Sequence, residues 1–149
     1  MFAPHIAASR AGEEPLVWAI DAAHAPGFWF PRDCPRACCW LRDGESAHAL
    51  LGAAARLHAI QTDWLAAMRA CALYVYAFDP VPFVLHDGEA GHWIARERVR
   101  PLSVAPVGDL IAKHEVAGIP LRVVDDLRPL IAEIVGSGLG FSIYRQRNL

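Results

Sequence analysis

The apolar residues of this chain come in short runs, and run length limits what it can build. Residues 16–20 (LVWAI), 37–41 (ACCWL), 73–78 (LYVYAF) and 119–124 (IPLRVV) are each five or six residues long. Their β-branched and aromatic content suits strands better than helices. Within 73–78, Leu73, Val75 and Ala77 share one face of a strand and Tyr74, Tyr76 and Phe78 the other. Residues 92–99 alternate in the same way. Trp93, Ala95, Glu97 and Val99 fall on one face and Ile94, Arg96 and Arg98 on the other, as in a half-exposed antiparallel strand. Residues 83–85 add a short strand before the turn at 86–91.

Between these runs lie helical patterns. Ser46 is placed to cap an Ala-rich helix over 47–57, and Thr62 to cap a second whose buried face is Trp64, Leu65, Met68 and Cys71. Residues 106–117 carry Leu110, Ile111 and His114 on one stripe, with Gly118 at the C-terminal end. Asp125 or Asp126 caps a last helix running to 135, and the glycines at 136, 138 and 140 leave the tail irregular. Strands and helices interleave without a regular βαβ series. The expected fold is therefore α+β: a mixed, mainly antiparallel sheet of five to six strands with three to four helices.

A length of 149 residues fits one domain spanning 1–149, with 1–14 poorly ordered. Hydrophobic residues make up 54% and charged residues 20%, so the chain can bury a core without disulfide or metal. A net charge of −2 argues against general nucleic-acid binding, which rests on phosphate neutralisation. No apolar run approaches the ~20 residues of a membrane span, and no signal peptide is visible. The expected location is cytoplasmic. Cys34, Cys38, Cys39 and Cys71 lack paired metal-ligand spacing and read as small buried hydrophobes, so no metal site is expected. If Cys38 and Cys39 lie in a strand, they point to opposite faces.

Candidate chemistry is densest from Trp18 to Arg36. Trp18, His24, Trp29, Arg32, Asp33 and Arg36 combine aromatic walls with a few polar groups, the usual make-up of a small-molecule pocket. Pro31 and Pro35 stiffen a turn on which Arg32 and Arg36 could grip a phosphate or carboxylate. The alternative is that Arg32 and Asp33 only brace the turn and that Trp18 and Trp29 belong to the core. His24 could act as a general base or as a hydrogen-bond donor to phosphate, but a surface or capping role fits a lone histidine better. His58 has no visible partner, and His114 reads as a satisfied core histidine. Glu97, expected on an inward strand face, is the best single candidate for a catalytic acid or base; an ion pair with a neighbouring arginine is the competing role. No G-x-G-x-x-G, Walker A, G-x-S-x-G or H-E-x-x-H motif is present.

The segments PLVWAID, FPRDCPR, LHAIQTDWLAAMR, LYVYAFD, VGDLIAKHEVAGIPLRVV and GFSIYRQRN resemble a bacterial family catalogued only as a domain of unknown function. That resemblance extends over nearly the whole chain, with FPRDCPR its most specific block. Members of that family usually begin with a short strand carrying His-Phe-Ser. This chain opens Met1-Phe2-Ala3-Pro4, like the segment after that strand, and is expected to lack it. More remotely the layout is similar to ADP-ribosyltransferase-like folds. By that analogy Trp18 lies in the second motif and Glu97 is the late-strand acid. The resemblance thus implies a nucleotide- or NAD-handling protein, with Trp29 stacked on a ring and Arg32 and Arg36 on phosphate. A reading from a different class is a non-catalytic interaction domain that uses the aromatic-rich segment 15–40 to meet a protein partner.

Overall fold

A computed structural model of the chain describes residues 1–6, 12 and 14–149. The loose order expected of residues 7–11 and 13 lies outside the described residues. Among the described residues nine strands follow in chain order: β1 (Val17–Ile20), β2 (Arg36–Trp40), β3 (Arg56–Gln61), β4 (Tyr74–Ala77), β5 (Val84–Asp87), β6 (His92–Ala95), β7 (Ser103–Pro106), β8 (Leu121–Val124) and β9 (Gly140–Tyr144). Three α-helices among the described residues, α1 (Leu65–Ala70), α2 (Leu110–Val116) and α3 (Arg128–Val135), accompany them. The α+β class holds, and every strand pair is antiparallel except β3 with β8. There are more strands than the five or six expected, and they form three sheets rather than one.

The chain divides into two compact units, Met1–Pro26 with Tyr74–Pro106 and Gly27–Leu73 with Val107–Leu149. In the first unit, β1, β6 and β5 form one sheet in that order and β4 pairs with β7. Val17, Phe83, Ala95 and Val99 make its small core. Phe2 exchanges backbone hydrogen bonds with Val99, and His5 with Leu16, so the described part of the N-terminal segment is paired. The strand expected over 92–99 stops at Ala95, and the residues after it form a bend.

The second unit is built on the four-stranded sheet β8-β3-β2-β9. Alternation along β2 sorts its two cores. Ala37 and Cys39 face Leu57, Ala59, Leu127, Ile131 and Ile134, with α3 covering that side. Cys38 faces the other way, towards Phe30, Ile60, Met68 and Leu110, under α1 and α2. Cys38 and Cys39 therefore do point to opposite faces. Asp109 caps α2, its carboxylate accepting from the backbone N–H of Ile111 and Ala112.

Several local expectations need correction. No helix spans 47–57; it is turns and a bridge between His48 and Gly52, followed by β3. Gly52 takes a positive φ of 62°, which an α-helix cannot accommodate, and Leu57, His58, Ala59 and Ile60 are needed in the sheet. Thr62 does not cap the next helix: its hydroxyl donates to the Val124 carbonyl and the Asp125 carboxylate instead. Residues 140–144 are not irregular but form an edge strand, because Gly140 is what lets the chain pass the Trp40 indole.

Candidate functional site

The segment that carries most of the candidate residues begins with a 3-10 turn, Ala25–Phe28, and ends in β2. Between them the Cys34 N–H donates to the Pro31 carbonyl at 3.0 Å and closes a turn with Arg32 and Asp33 at its centre. The C-terminal residues clasp this turn from outside. Arg145 Nε donates to the Arg32 carbonyl (3.0 Å) and Asn148 Nδ2 to the Asp33 carbonyl (2.7 Å). To make that contact Arg145 adopts φ 56°, the only positive φ of a non-glycine among the described residues.

Arg36, the first residue of β2, is buried to 5% exposure. Its Nε donates to the Gly27 carbonyl at 2.8 Å and its Nη1 to the Cys34 carbonyl at 3.1 Å. The guanidinium carbon lies 4.2 Å from the centre of the Tyr144 ring, 5.1 Å from Phe30 and 5.6 Å from Phe28. Tyr144 is its cross-strand partner in β9, which explains that closest ring. Burial lowers the Arg36 pKa, the expected cost of a desolvated cation. No carboxylate among the described residues pairs with it.

A cleft of about 420 Å³ opens beside this group, lined by Phe28, Phe30, Arg32, Arg36, Tyr144 and Arg145 among others. Three guanidinium groups thus border one space. The nearest countercharge is Asp33, whose carboxylate lies 3.8 Å from Arg145 Nε. Of the residues singled out in the sequence, Arg32 and Arg36 meet at this cleft, with Asp33 at its edge. Trp29 does not line it: its ring lies over Lys113 Nζ (4.6 Å) and against His114. Phe28 and Tyr144 supply the aromatic walls instead. Neither Tyr144 nor Arg145 was singled out, because β9 itself was missed behind its glycines; the alternation of Phe141, Ile143 and the intervening residues was the available signal.

The other expected residues belong to the first unit. Trp18 is half-buried in β1, edge-on to His86 and His92. Asp21 Oδ1 accepts from both the His24 backbone N–H (2.9 Å) and His24 Nδ1 (2.8 Å). Burial acts to raise the Asp21 pKa, but these bonds outweigh it and the net shift is downward. Gly91 lies so close that a Cβ there would collide with both side chains. Glu97 sits in the bend after β6 and is exposed. The inward strand face that made it attractive as an acid ends two residues earlier. Arg96 beside it pairs with Glu14.

The histidines assessed singly in the sequence form a pair. His58 Nδ1 lies 2.9 Å from His114 Nε2, and His114 Nδ1 lies 2.6 Å from the Leu110 carbonyl. Phe30 packs on both rings and also lines the arginine cleft. Cys34, Cys38 and Cys39 are buried, and burial raises their thiol pKa values to about 12, 12 and 11. Among the described residues no group of histidine, cysteine and carboxylate side chains converges as metal ligands do. No helix among the described residues is long and apolar enough to cross a membrane.

The second unit is therefore an α+β sheet domain with a positively charged, aromatic-walled cleft at the Pro-stiffened turn. The chain belongs to DUF6886, a family of unknown function whose model matches residues 1–149. No curated protein and no solved structure matches it.

Proposed function

We propose that this protein binds a small anionic ligand carrying a planar ring, of nucleotide type, in the cleft beside Arg36. The observation that carries this reading is Arg36 itself: a buried cation, without a carboxylate partner among the described residues, that lines a cleft. A buried charge is costly unless compensated. Two backbone carbonyls and three aromatic rings compensate part of that cost, and an anion would complete it. Arg32 and Arg145 add charge, while Phe28 and Tyr144 offer ring faces to a base.

Binding is the whole of the proposed activity. The ADP-ribosyltransferase analogy asked for an inward acid on a late strand, and Glu97 is exposed in a bend. The interaction-domain reading gains no observation of its own. Of the large apolar side chains in segment 15–40, only Phe28 is more than a third exposed, so the segment does not present an apolar patch.

The test is thermal stability of the full chain with millimolar nucleotides and NAD. A ligand at 100 times its dissociation constant adds about 2.7 kcal/mol to the folded state, an upward shift of several degrees. Unchanged melting with every anionic ring compound would remove the proposal.

A further inference from the structure

The charge and size of the same cleft narrow the ligand class; this inference rests on the binding reading above. Three guanidinium groups border the cleft and one carboxylate stands at its edge, a local excess of two positive charges in a chain whose net charge is −2. Each guanidinium carries five N–H donors. Arg36 has committed two of its nitrogens to carbonyls and Arg145 its Nε. Arg32 donates no side-chain hydrogen bond to any described residue. Most of the donors are therefore still available. A single carboxylate, or a phosphate diester, brings one negative charge and leaves the excess half neutralised. A phosphate monoester brings close to two charges at pH 7 and three strong acceptor oxygens.

Size points the same way. A cleft of about 420 Å³ is at the small end of the ~300–1,000 Å³ typical of ligand sites. It offers one aromatic wall system, Phe28 edge-on to Tyr144 at 5.2 Å, and so one place for a ring. A dinucleotide also brings two charges on its linked phosphates, but it has two ring systems where the cleft offers one place for a ring.

We propose that the cleft is a site for ring-bearing phosphate monoesters, with the dianionic phosphate among Arg32, Arg36 and Arg145 and the ring against Phe28 and Tyr144. The class is that of a mononucleotide rather than a dinucleotide.

Titration calorimetry on the full chain at pH 7.5 tests this with matched probes. Phenyl phosphate and benzoate share a ring but differ in charge; 5′-AMP and adenosine differ only in the phosphate; NAD supplies the larger ligand. Phenyl phosphate and AMP are expected to bind at least tenfold more tightly than benzoate and adenosine, with NAD no tighter than AMP. R32Q removes a side chain on which no described contact depends, so it should fold with unchanged melting temperature and lose at least tenfold in AMP affinity. Equal binding of benzoate and phenyl phosphate would overturn the dianion assignment while leaving an anion site in place. Tighter binding of NAD would overturn the size assignment. AMP binding that ignores R32Q would place the ligand elsewhere and overturn the site. If none of the probes binds, the binding reading itself fails.

Discussion

His58 Nδ1 and His114 Nε2 lie 2.9 Å apart in the core of the second unit, and the bond beyond them fixes which ring donates. The Leu110 carbonyl can only accept, so His114 Nδ1 carries the proton there and its Nε2 is left as an acceptor. His58 Nδ1 must then be the donor, and its Nε2 is a buried lone pair without a hydrogen-bond partner among the described residues. Both rings are held neutral.

That arrangement predicts acid sensitivity. Burial, reinforced by His114 and by the nearby Arg56 and Arg36 charges, lowers the His58 pKa from 6.5 to about 2. Burial lowers His114 as well, against the opposing Leu110 hydrogen bond. Between pH 6.5 and about 2 the unfolded chain takes up a proton at His58 that the native state refuses. Stability therefore rises with pH across this window and falls as the medium is acidified. The loss from pH 6.5 to 4.5 is about 2 kcal/mol for His58 alone, with His114 adding to it. Urea unfolding at pH 7.5, 6.5, 5.5 and 4.5 measures the slope. In H58N the amide nitrogen takes the place of Nδ1 and can still donate to His114, so the slope should be shallower by about 1.4 kcal/mol per pH unit. An unchanged slope would mean that His58 is not the group responsible.

The thiols give an independent check on the two cores. Cys34, Cys38 and Cys39 are buried, with pKa values of about 12, 12 and 11, so almost no thiolate forms near neutrality. Cys71 is half-buried at the end of α1. A thiol reagent at pH 7.5 should label at most Cys71 in the native protein and all four cysteines in denaturant. Rapid labelling of a second native thiol would contradict the packing on either side of β2.

Asp109 predicts a contribution confined to one helix. Its carboxylate satisfies two backbone N–H groups of α2 that the helix cannot pair internally. D109A should cost about 1 kcal/mol in urea unfolding, and D109N or D109S much less, because either can still accept. A loss in D109N equal to that in D109A would show that the charge, rather than the cap, matters.

Strand-forming runs were legible where local pattern and tertiary demand agree. LVWAI, ACCWL and IPLRVV became β1, β2 and β8 within a residue or two. The Thr62 region failed at the cap because Asp125 and the Val124 carbonyl, some sixty residues away in sequence, compete for the same hydroxyl. β3 was hidden for a related reason. Its Arg56 and Gln61 ends are polar and the Ala-rich stretch before it reads as helix, while its burial is set by β2 and β8 on either side. Half of the arginine cleft was legible, since FPRDCPR announces a rigid turn with two cations. The other half comes from Tyr144 and Arg145, which reach Arg36 and Arg32 only through the β2–β9 register and a left-handed residue. Glu97 shows the opposite error: alternation continues in the sequence after the strand has ended.

Gly140 tests whether that register builds the cleft. It sits opposite Trp40 in the β2–β9 pair, and a Cβ there would come within 2.3 Å of Trp40 Nε1 and 2.7 Å of Cε2. The indole is a rigid body partly buried against the core that holds Phe30 and Cys38, so it cannot yield by swinging a flexible end. G140A must move either the indole or the first residue of β9. The expected cost is about 1–3 kcal/mol in urea unfolding, the range for overpacked interiors. Because Tyr144 ends the same strand and Arg145 follows it directly, a shift of β9 should also weaken AMP binding without substituting any group proposed to contact it. Retained AMP affinity in a destabilised G140A would show that the end of β9 is held independently, by the Arg145 and Asn148 clasp on the Arg32–Asp33 turn.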